Sequence, residues 1–184
     1  MASTDYVDLN SPRGRDNAPG IKQTVWLAPM DYFDTISDVV DPASFDGDAV
    51  TIADPHVFKA AKGWIQMYTT VEKSNFTAEA AGDVDAEMVQ PKLTFFHPGD
   101  DEAAAAMARR VKNDRFIVIF ETQNGKFIQI GAKNNGAKVV GTYDMGTVGN
   151  GGNGWTFEAT SYDNFIRFYG AGQPTPLQSD GGAA

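Results

Sequence analysis

The chain has 184 residues, a formal net charge of −9 and no cysteine. This length is enough for one domain with a sizeable core, and the lack of cysteine excludes disulfides, thiolate metal sites and cysteine nucleophiles. The excess of acidic side chains argues against a protein that grips nucleic acid, because such proteins neutralise phosphates with lysine and arginine.

Both ends of the chain are polar and lack periodicity. Residues 1–20 are rich in Asp, Asn, Ser, Pro and Gly, and residues 171–184 in Gly, Pro, Gln, Ser and Ala. These compositions predict two flexible arms around a single domain at 21–170. The first residues have neither the basic nor the apolar part of a secretory signal. No run of about twenty apolar residues predicts a membrane span, so we expect neither export nor membrane attachment.

The central region predicts β-strands, because aromatic and β-branched residues are concentrated there. In chain order, the predicted strands are 21–27, 49–53, 64–71, 76–80, 88–96, 115–121, 127–131, 138–143, 154–161 and 165–169. The segment 115–121 is almost entirely apolar, which predicts a strand buried on both faces. Asn124–Gly125 predicts the tight turn of an antiparallel hairpin, since this pair accepts positive φ angles.

One helix is predicted at about 100–112. Asp100 or Asp101 can cap its first amides, acidic residues occupy its first turn and basic residues its last. Met107 and Val111 are four residues apart and therefore share a face. We expect this face to pack on a sheet together with Ala103, Ala104 and Ala108.

Together these elements predict a mainly β fold. The expected architecture is a β-sandwich or barrel of two packed antiparallel sheets, with one flanking α-helix, long loops and flexible terminal arms. The segment 31–54 is the least regular part and contains seven aspartates. It predicts a long acidic connection, in which Phe33, Ile36, Val39 and Val40 favour a short helical turn. Loops of this length in compact domains are usually functional or disordered.

The sequence offers little chemistry. His56 and His97 both lie beside prolines, and each is better explained as a histidine in a turn than as an acid–base group or metal ligand. The glycine-rich segment 146–154 leads into a strand and lacks the lysine of a phosphate loop, so it predicts a flexible connection. Residues 41–48 lack the spacing of an EF-hand calcium loop. We therefore expect no catalytic residue, no metal site and no cofactor, and a protein that is not an enzyme.

Three stretches together resemble the major tail tube proteins of tailed phages, especially those of Bacteroidetes phages. They are 25–29 (VWLAP), 63–70 (GWIQMYTT) continuing through 91–99 (PKLTFFHPG), and 112–119 (KNDRFIVI) continuing through 127–131 (FIQIG) and 153–158 (NGWTFE). The resemblance covers roughly residues 21–170.

The resemblance implies a structural virion protein. In this family, six β-sandwich subunits associate side by side, their sheets join into one inner β-barrel, and the rings stack through arms and loops. The implied partners are further copies of the chain, the tape-measure protein, transient DNA in the lumen, tail terminator and baseplate proteins, and a sheath protein if the tail contracts. No membrane partner is implied. The implied location is the virion tail, after assembly in the host cytoplasm.

Two sets of acidic residues become candidates on this basis. An acidic lumen would keep DNA from adhering during ejection, and the candidates for its wall are Glu72, Glu79, Asp83, Asp85 and Glu87. A slip of one residue in the strand register would reverse this assignment. The long acidic connection and the arms can become ordered on assembly, and the candidates for contacts between rings are Asp31, Asp34, Asp38, Asp41, Asp46 and Asp48.

Other functions remain open at the level of sequence. Another virion component, such as a tail-completion, connector or head-decoration protein, can share the fold, and so can the inner tube of a contractile injection system. A secreted enzyme or carbohydrate-binding module would need an export signal or a clustered polar site, and the sequence predicts neither. Helical filaments of the purified protein would favour the tube over another virion component, whereas the neighbouring genes would separate a phage tube from the inner tube of an injection system.

Overall fold

The computed structural model of the chain describes residues 9, 14, 16–40, 47–149 and 151–176. Twelve β-strands and one α-helix lie in these ranges. The strands are β1 (Ile21–Pro29), β2 (Phe33–Thr35), β3 (Thr51–Ile52), β4 (Val57–Phe58), β5 (Ile65–Tyr68), β6 (Asn75–Ala81), β7 (Met88–Pro98), β8 (Arg115–Thr122), β9 (Phe127–Ile130), β10 (Ala137–Asp144), β11 (Gly154–Thr160) and β12 (Arg167–Tyr169). The helix α1 spans Glu102–Val111. The mainly β fold with one helix is thereby confirmed, and no helix in the described ranges is long and apolar enough to cross a membrane.

Strand β8 is the centre of the fold. It pairs with β1 along one side, and with β9 and then β10 along the other. Phe116, Val118 and Phe120 project into one apolar cluster, whereas Ile117 and Ile119 project into a second. The prediction of a strand buried on both faces is therefore confirmed, and so is the Asn124–Gly125 hairpin that joins β8 to β9.

Two layers enclose the larger cluster. One contains β5, β1, β8 and β9, and the other contains β6, β7, β11 and β10. The rings of Phe76 and Phe120, one from each layer, lie 5.0 Å apart. Both layers belong to one continuous ten-stranded sheet that folds over between β8 and β10. The predicted packing of two antiparallel layers is present, and β10 joins the layers because it is hydrogen-bonded to both.

The helix lies over β10 on the core side. Its buried residues are Ala104, Ala108 and Val111, whereas Ala103 is exposed, so its predicted place in the core face was wrong. Gly141 of β10 allows the close approach. A Cβ atom at Gly141 would lie 2.9 Å from the Cβ of Ala108 and 2.9 Å from the ring of Phe157. Asp101 is the N-cap residue, but its side chain makes no capping hydrogen bond.

The acidic segment contains structure that was not predicted. Phe33 belongs to strand β2, which pairs with β4 in a separate two-stranded sheet, so the expected helical turn is wrong there. The predicted strand 49–53 is a 3₁₀ helix (Gly47–Val50) followed by the two residues of β3. β3 pairs with β12 in parallel, which is an exception to the antiparallel pairing that we expected.

Parts of both predicted arms are held against the domain. Near the N-terminus, the Ala18 N–H donates to Oδ1 of Asn124, and the Gln123 N–H donates to the Gly20 carbonyl. Near the other end, Pro176 forms an isolated parallel bridge with Trp64. Of the predicted arms, the structure describes residues 9, 14, 16–20 and 171–176, and the rest lies outside the described residues.

Candidate functional site

Four strands form the layer that carries the candidate site. In the order β6, β7, β11, β10, each is antiparallel to the next, and none of the three pairings contains a register shift. Residues directly opposite each other share a face, so the register assigns every side chain to the core or to the outer face. Two adjacent rows of the outer face are Asn75–Thr94–Glu158–Val140 and Thr77–Lys92–Thr160–Lys138.

The outer face of this four-stranded layer is polar. Its accessible residues include Asn75, Thr77, Glu79, Gln90, Lys92, Thr94, Lys138, Val140, Thr142, Asp144, Thr156, Glu158 and Thr160. The Nζ atom of Lys92 lies 2.7 Å from Oε2 of Glu158. Threonines and charges of both signs therefore cover a face that no described segment buries. An antiparallel sheet with one wet face shows this pattern.

The hydrogen bonds of β7 show which way the backbone of β6 points. In an antiparallel strand, the N–H and C=O of one residue point to the same side, and successive residues point to opposite sides. Val89 exchanges two hydrogen bonds with Asp163, and Pro91 accepts one from Ser161, all on the β11 side. The alternate residues of β7 therefore bond β6. Through the register, the residues of β6 that face away from β7 are Phe76, Ala78 and Ala80, which we call the β6 edge.

The same reasoning applies to the other side of the layer. Ser161 points towards β7, so the even-numbered residues of β11 bond β10. Their partners on β10 are also even-numbered. The residues of β10 that face away from β11 are Val139, Gly141 and Tyr143, which we call the β10 edge. Strand β8 occupies this side of β10 only at Ala137 and Lys138.

The layer thus has two open margins. Within the described part of the chain, no strand pairs with the outward side of β6, and β8 pairs with the outward side of β10 only as far as Lys138. Unpaired strand edges are templates for pairing with another chain. The sequence predicted both strands but not these six residues, because the direction of each backbone group depends on the register with a distant strand. Pro91 was the available sequence signal of this direction, because a proline within a strand has no N–H to donate to the strand on one of its sides.

The five residues predicted to line a lumen lie in three places. Glu79 is on the outer face of the layer. Asp83, Asp85 and Glu87 lie in the connection between β6 and β7, and Glu72 lies in a 3₁₀ helix (Val71–Lys73) outside the layer. The register therefore brings one of the five to the polar face.

The aspartates predicted to contact a neighbouring ring are also dispersed. Asp31 lies in a 3₁₀ helix (Met30–Tyr32), Asp34 in β2 and Asp48 in the 3₁₀ helix before β3. Asp38 makes an ion pair with Arg167 of β12. Asp41 and Asp46 lie outside the described residues.

Arg167 belongs to a buried polar cluster that the sequence analysis missed. Its Nε atom donates to Oδ2 of Asp163 at 2.6 Å, and both side chains are only 9% exposed. Burial alone would lower the pKa of Arg167, but hydrogen bonds and charge from Asp163, and then from Asp38, raise it above its ordinary value. The four-residue spacing of Asp163 and Arg167 was a weak signal. Their burial followed from the fold and not from the spacing.

His56 lies in the connection just before β4, as expected for a histidine in a turn, and its side chain is buried. Its Nδ1 accepts a hydrogen bond from the Ser37 N–H at 3.0 Å, and its Nε2 lies 2.8 Å from Oε1 of Gln129. The first bond requires an unprotonated Nδ1, so the second is a donation from Nε2–H. Both nitrogens are therefore engaged in structure. His97 lies inside β7, with its Nδ1 3.0 Å from the Tyr68 carbonyl oxygen.

The described residues contain no group of three or more His, Cys, Asp or Glu that could hold a metal ion. Comparison with known proteins identified no matching family model, no similar curated protein and no similar solved structure.

The candidate site consists of the two open edges and the polar face between them.

Proposed function

We propose that this chain is the repeating, non-enzymatic subunit of a phage-type tail tube. The observation that carries the proposal is that the β6 edge and the β10 edge are complementary. Each offers three residues whose backbone groups point outward. Such edges are completed when a second copy adds its strand to the sheet.

The number of strands makes the two edges compatible. Because neighbouring strands in a layer of four are antiparallel, β10 runs opposite to β6. A second copy related by rotation therefore presents its β6 antiparallel to β10. The outward residues of both edges have core-facing side chains, as shown by Phe76 opposite Leu93 and by buried Val139. Pairing the edges thus keeps every polar side chain on one face.

A contact between two different edges of the same chain is heterologous, and it forms a ring when the rotation closes. Six copies, the number implied by the family resemblance, would contribute four strands each to one closed barrel. The polar outer face would then line the lumen. Its mixed charges supply no run of cations that could hold DNA phosphates, which suits a conduit.

Electron microscopy of the purified full chain over a range of concentrations tests the proposal. We expect stacked rings or helical tubes to form as the concentration rises. Discrete closed rings that do not stack would instead support a connector or tail-completion protein. A monomer at every concentration would overturn the proposal, and saturable sugar binding by that monomer would support a carbohydrate-binding module.

The substitution Ala78→Pro tests the β6 edge directly. Ala78 faces away from β7, so a proline there removes an outward N–H without removing a bond within the subunit. We expect the variant to fold but not to form rings. Ala78→Ser is the matched control, because it keeps the N–H and should assemble like the wild type. Rings of normal appearance from Ala78→Pro would contradict pairing through this edge.

A further inference from the structure

We infer that the connection between β6 and β7 of one subunit docks on a pair of cations, Arg115 and Lys138, of the next subunit and thereby fixes the register of the ring. We call residues 82–87 the acidic hairpin and these two residues the cationic pair. The inference rests on the proposed function, since it concerns the same edge-to-edge contact.

The acidic hairpin is an exposed turn whose charged residues are all acidic. Between Glu79 and Gln90 the sequence contains three acidic residues and no basic one. Gly82 has a φ of 114°, and a Cβ there would lie 2.3 Å from the Ala86 carbonyl oxygen, so the turn needs glycine. Val84 is 86% exposed at its tip. Within the described residues, the carboxylates of Asp83, Asp85 and Glu87 make no ion pair.

The cationic pair is an unusual arrangement for one subunit alone. Arg115 and Lys138 are directly opposite each other where β8 meets β10, and both are exposed. Like charges in such a cross-strand pair destabilise a sheet. Neither side chain makes an ion pair with any described residue. Lys112 lies three residues before Arg115, and Asp114 is the one acid between them.

The open edges bring these two features together. Antiparallel pairing that uses all six edge residues places Phe76 opposite Tyr143, Ala78 opposite Gly141 and Ala80 opposite Val139. The incoming β6 cannot continue beyond this point, because β8 already pairs with β10 at Lys138 and Ala137. The incoming strand ends at Ala81, so its acidic hairpin begins beside the cationic pair.

A shift of two residues in either direction would separate these charges or drive the incoming strand into β8. Complementary charges at an interface fix register and exclude wrong partners, because like charges brought together there repel each other. The acidic hairpin therefore selects one of several pairings that the backbone alone would allow.

Charge reversal tests the inference. The variant Asp83→Lys/Glu87→Lys should raise the concentration needed for ring formation by about tenfold or more, and Arg115→Glu/Lys138→Glu should do the same. All four substitutions in one chain should restore assembly towards the wild-type concentration. Asp100→Lys/Glu102→Lys is the matched control, because it changes the charge equally at two exposed acids at the start of α1, outside the hairpin, the arms and the acidic connection. Circular dichroism of each monomer confirms that the variants fold.

The wild-type protein gives a second measurement. Raising NaCl from about 0.05 M to about 0.5 M should weaken ring formation by screening the contact. Assembly of Asp83→Lys/Glu87→Lys at the wild-type concentration, or failure of the fourfold variant to recover, would overturn the inference while leaving tube formation intact. A wild-type protein that never assembles would overturn the proposed function as well.

Discussion

The guanidinium of Arg167 is buried between two carboxylates that differ in burial. Asp163 is 9% exposed and Asp38 is 43% exposed. Removing one partner of a buried pair leaves an uncompensated charge, which costs about 3–5 kcal/mol. We expect Asp163→Asn to lower the free energy of unfolding by an amount in this range, and Asp38→Asn by clearly less because solvent screens that contact. Urea unfolding of the two variants measures both values, and equal losses would contradict this ranking.

His56 gives the fold a dependence on pH. Burial lowers the pKa of His56 below its ordinary value of 6.5, so the unfolded chain binds a proton at higher pH than the folded one. Neutral His56 therefore makes its full contribution to the free energy of unfolding above pH 6.5. This contribution is lost progressively as the pH falls below that value, down to the folded pKa. We expect urea unfolding to show this loss in the wild type.

The variant His56→Gln provides the control for this pH dependence. Glutamine can replace the hydrogen bonds but does not titrate in this range, so the loss between pH 7.5 and 5 should be smaller in the variant. The same slope in both proteins would assign the effect to another group. The sequence could not reveal this role, because Gln129 is 73 positions away from His56.

At the scale of elements, the alternation of inward and outward residues along β6 predicts how much a proline at each position destabilises the monomer. Thr77 bonds β7 within the subunit, whereas its neighbour Ala78 faces away. We expect Thr77→Pro to lower the free energy of unfolding of the monomer by about 1–3 kcal/mol, since it removes a ladder hydrogen bond and leaves the carbonyl acceptor without a partner. Ala78→Pro should cost less than about 1 kcal/mol. Thermal unfolding of the two monomers checks this order, and the reverse order would show that the edges were assigned wrongly.

The elements that could be predicted are those with strong local signals. The apolar run of β8, the Asn124–Gly125 turn and the alanine-rich α1 each depend on neighbours in sequence. The pairs β2–β4 and β3–β12 could not be predicted, because strands of two or three residues have no periodicity and are held by distant partners. For the same reason, the sequence could place aspartates in loops but could not show that Asp38 is bound to Arg167.

At the scale of the whole molecule, one sheet supplies both the core and the open margins through which we propose that the chain assembles. Strand β8 pairs with one end of β10 at the point where the sheet folds over. A strand from a second subunit that pairs with the rest of β10 would therefore have to stop there. In the proposed ring, the buried clusters would therefore constrain the contact between subunits through the backbone. Assembly should change the margins of the sheet while leaving the core of each subunit as it is in the monomer.

Hydrogen exchange of the amides distinguishes these two regions. In the monomer, the N–H groups of Phe76, Ala78 and Ala80 should exchange rapidly, whereas those of Asn75, Thr77 and Glu79 should be protected by β7. In assembled tubes, we expect the first set to slow by about a hundredfold or more, and Val139, Gly141 and Tyr143 to slow with it. The second set should change little and serves as the internal control. If tubes form but the outward amides still exchange as in the monomer, the subunits must meet through another surface, and the joined-sheet arrangement is wrong.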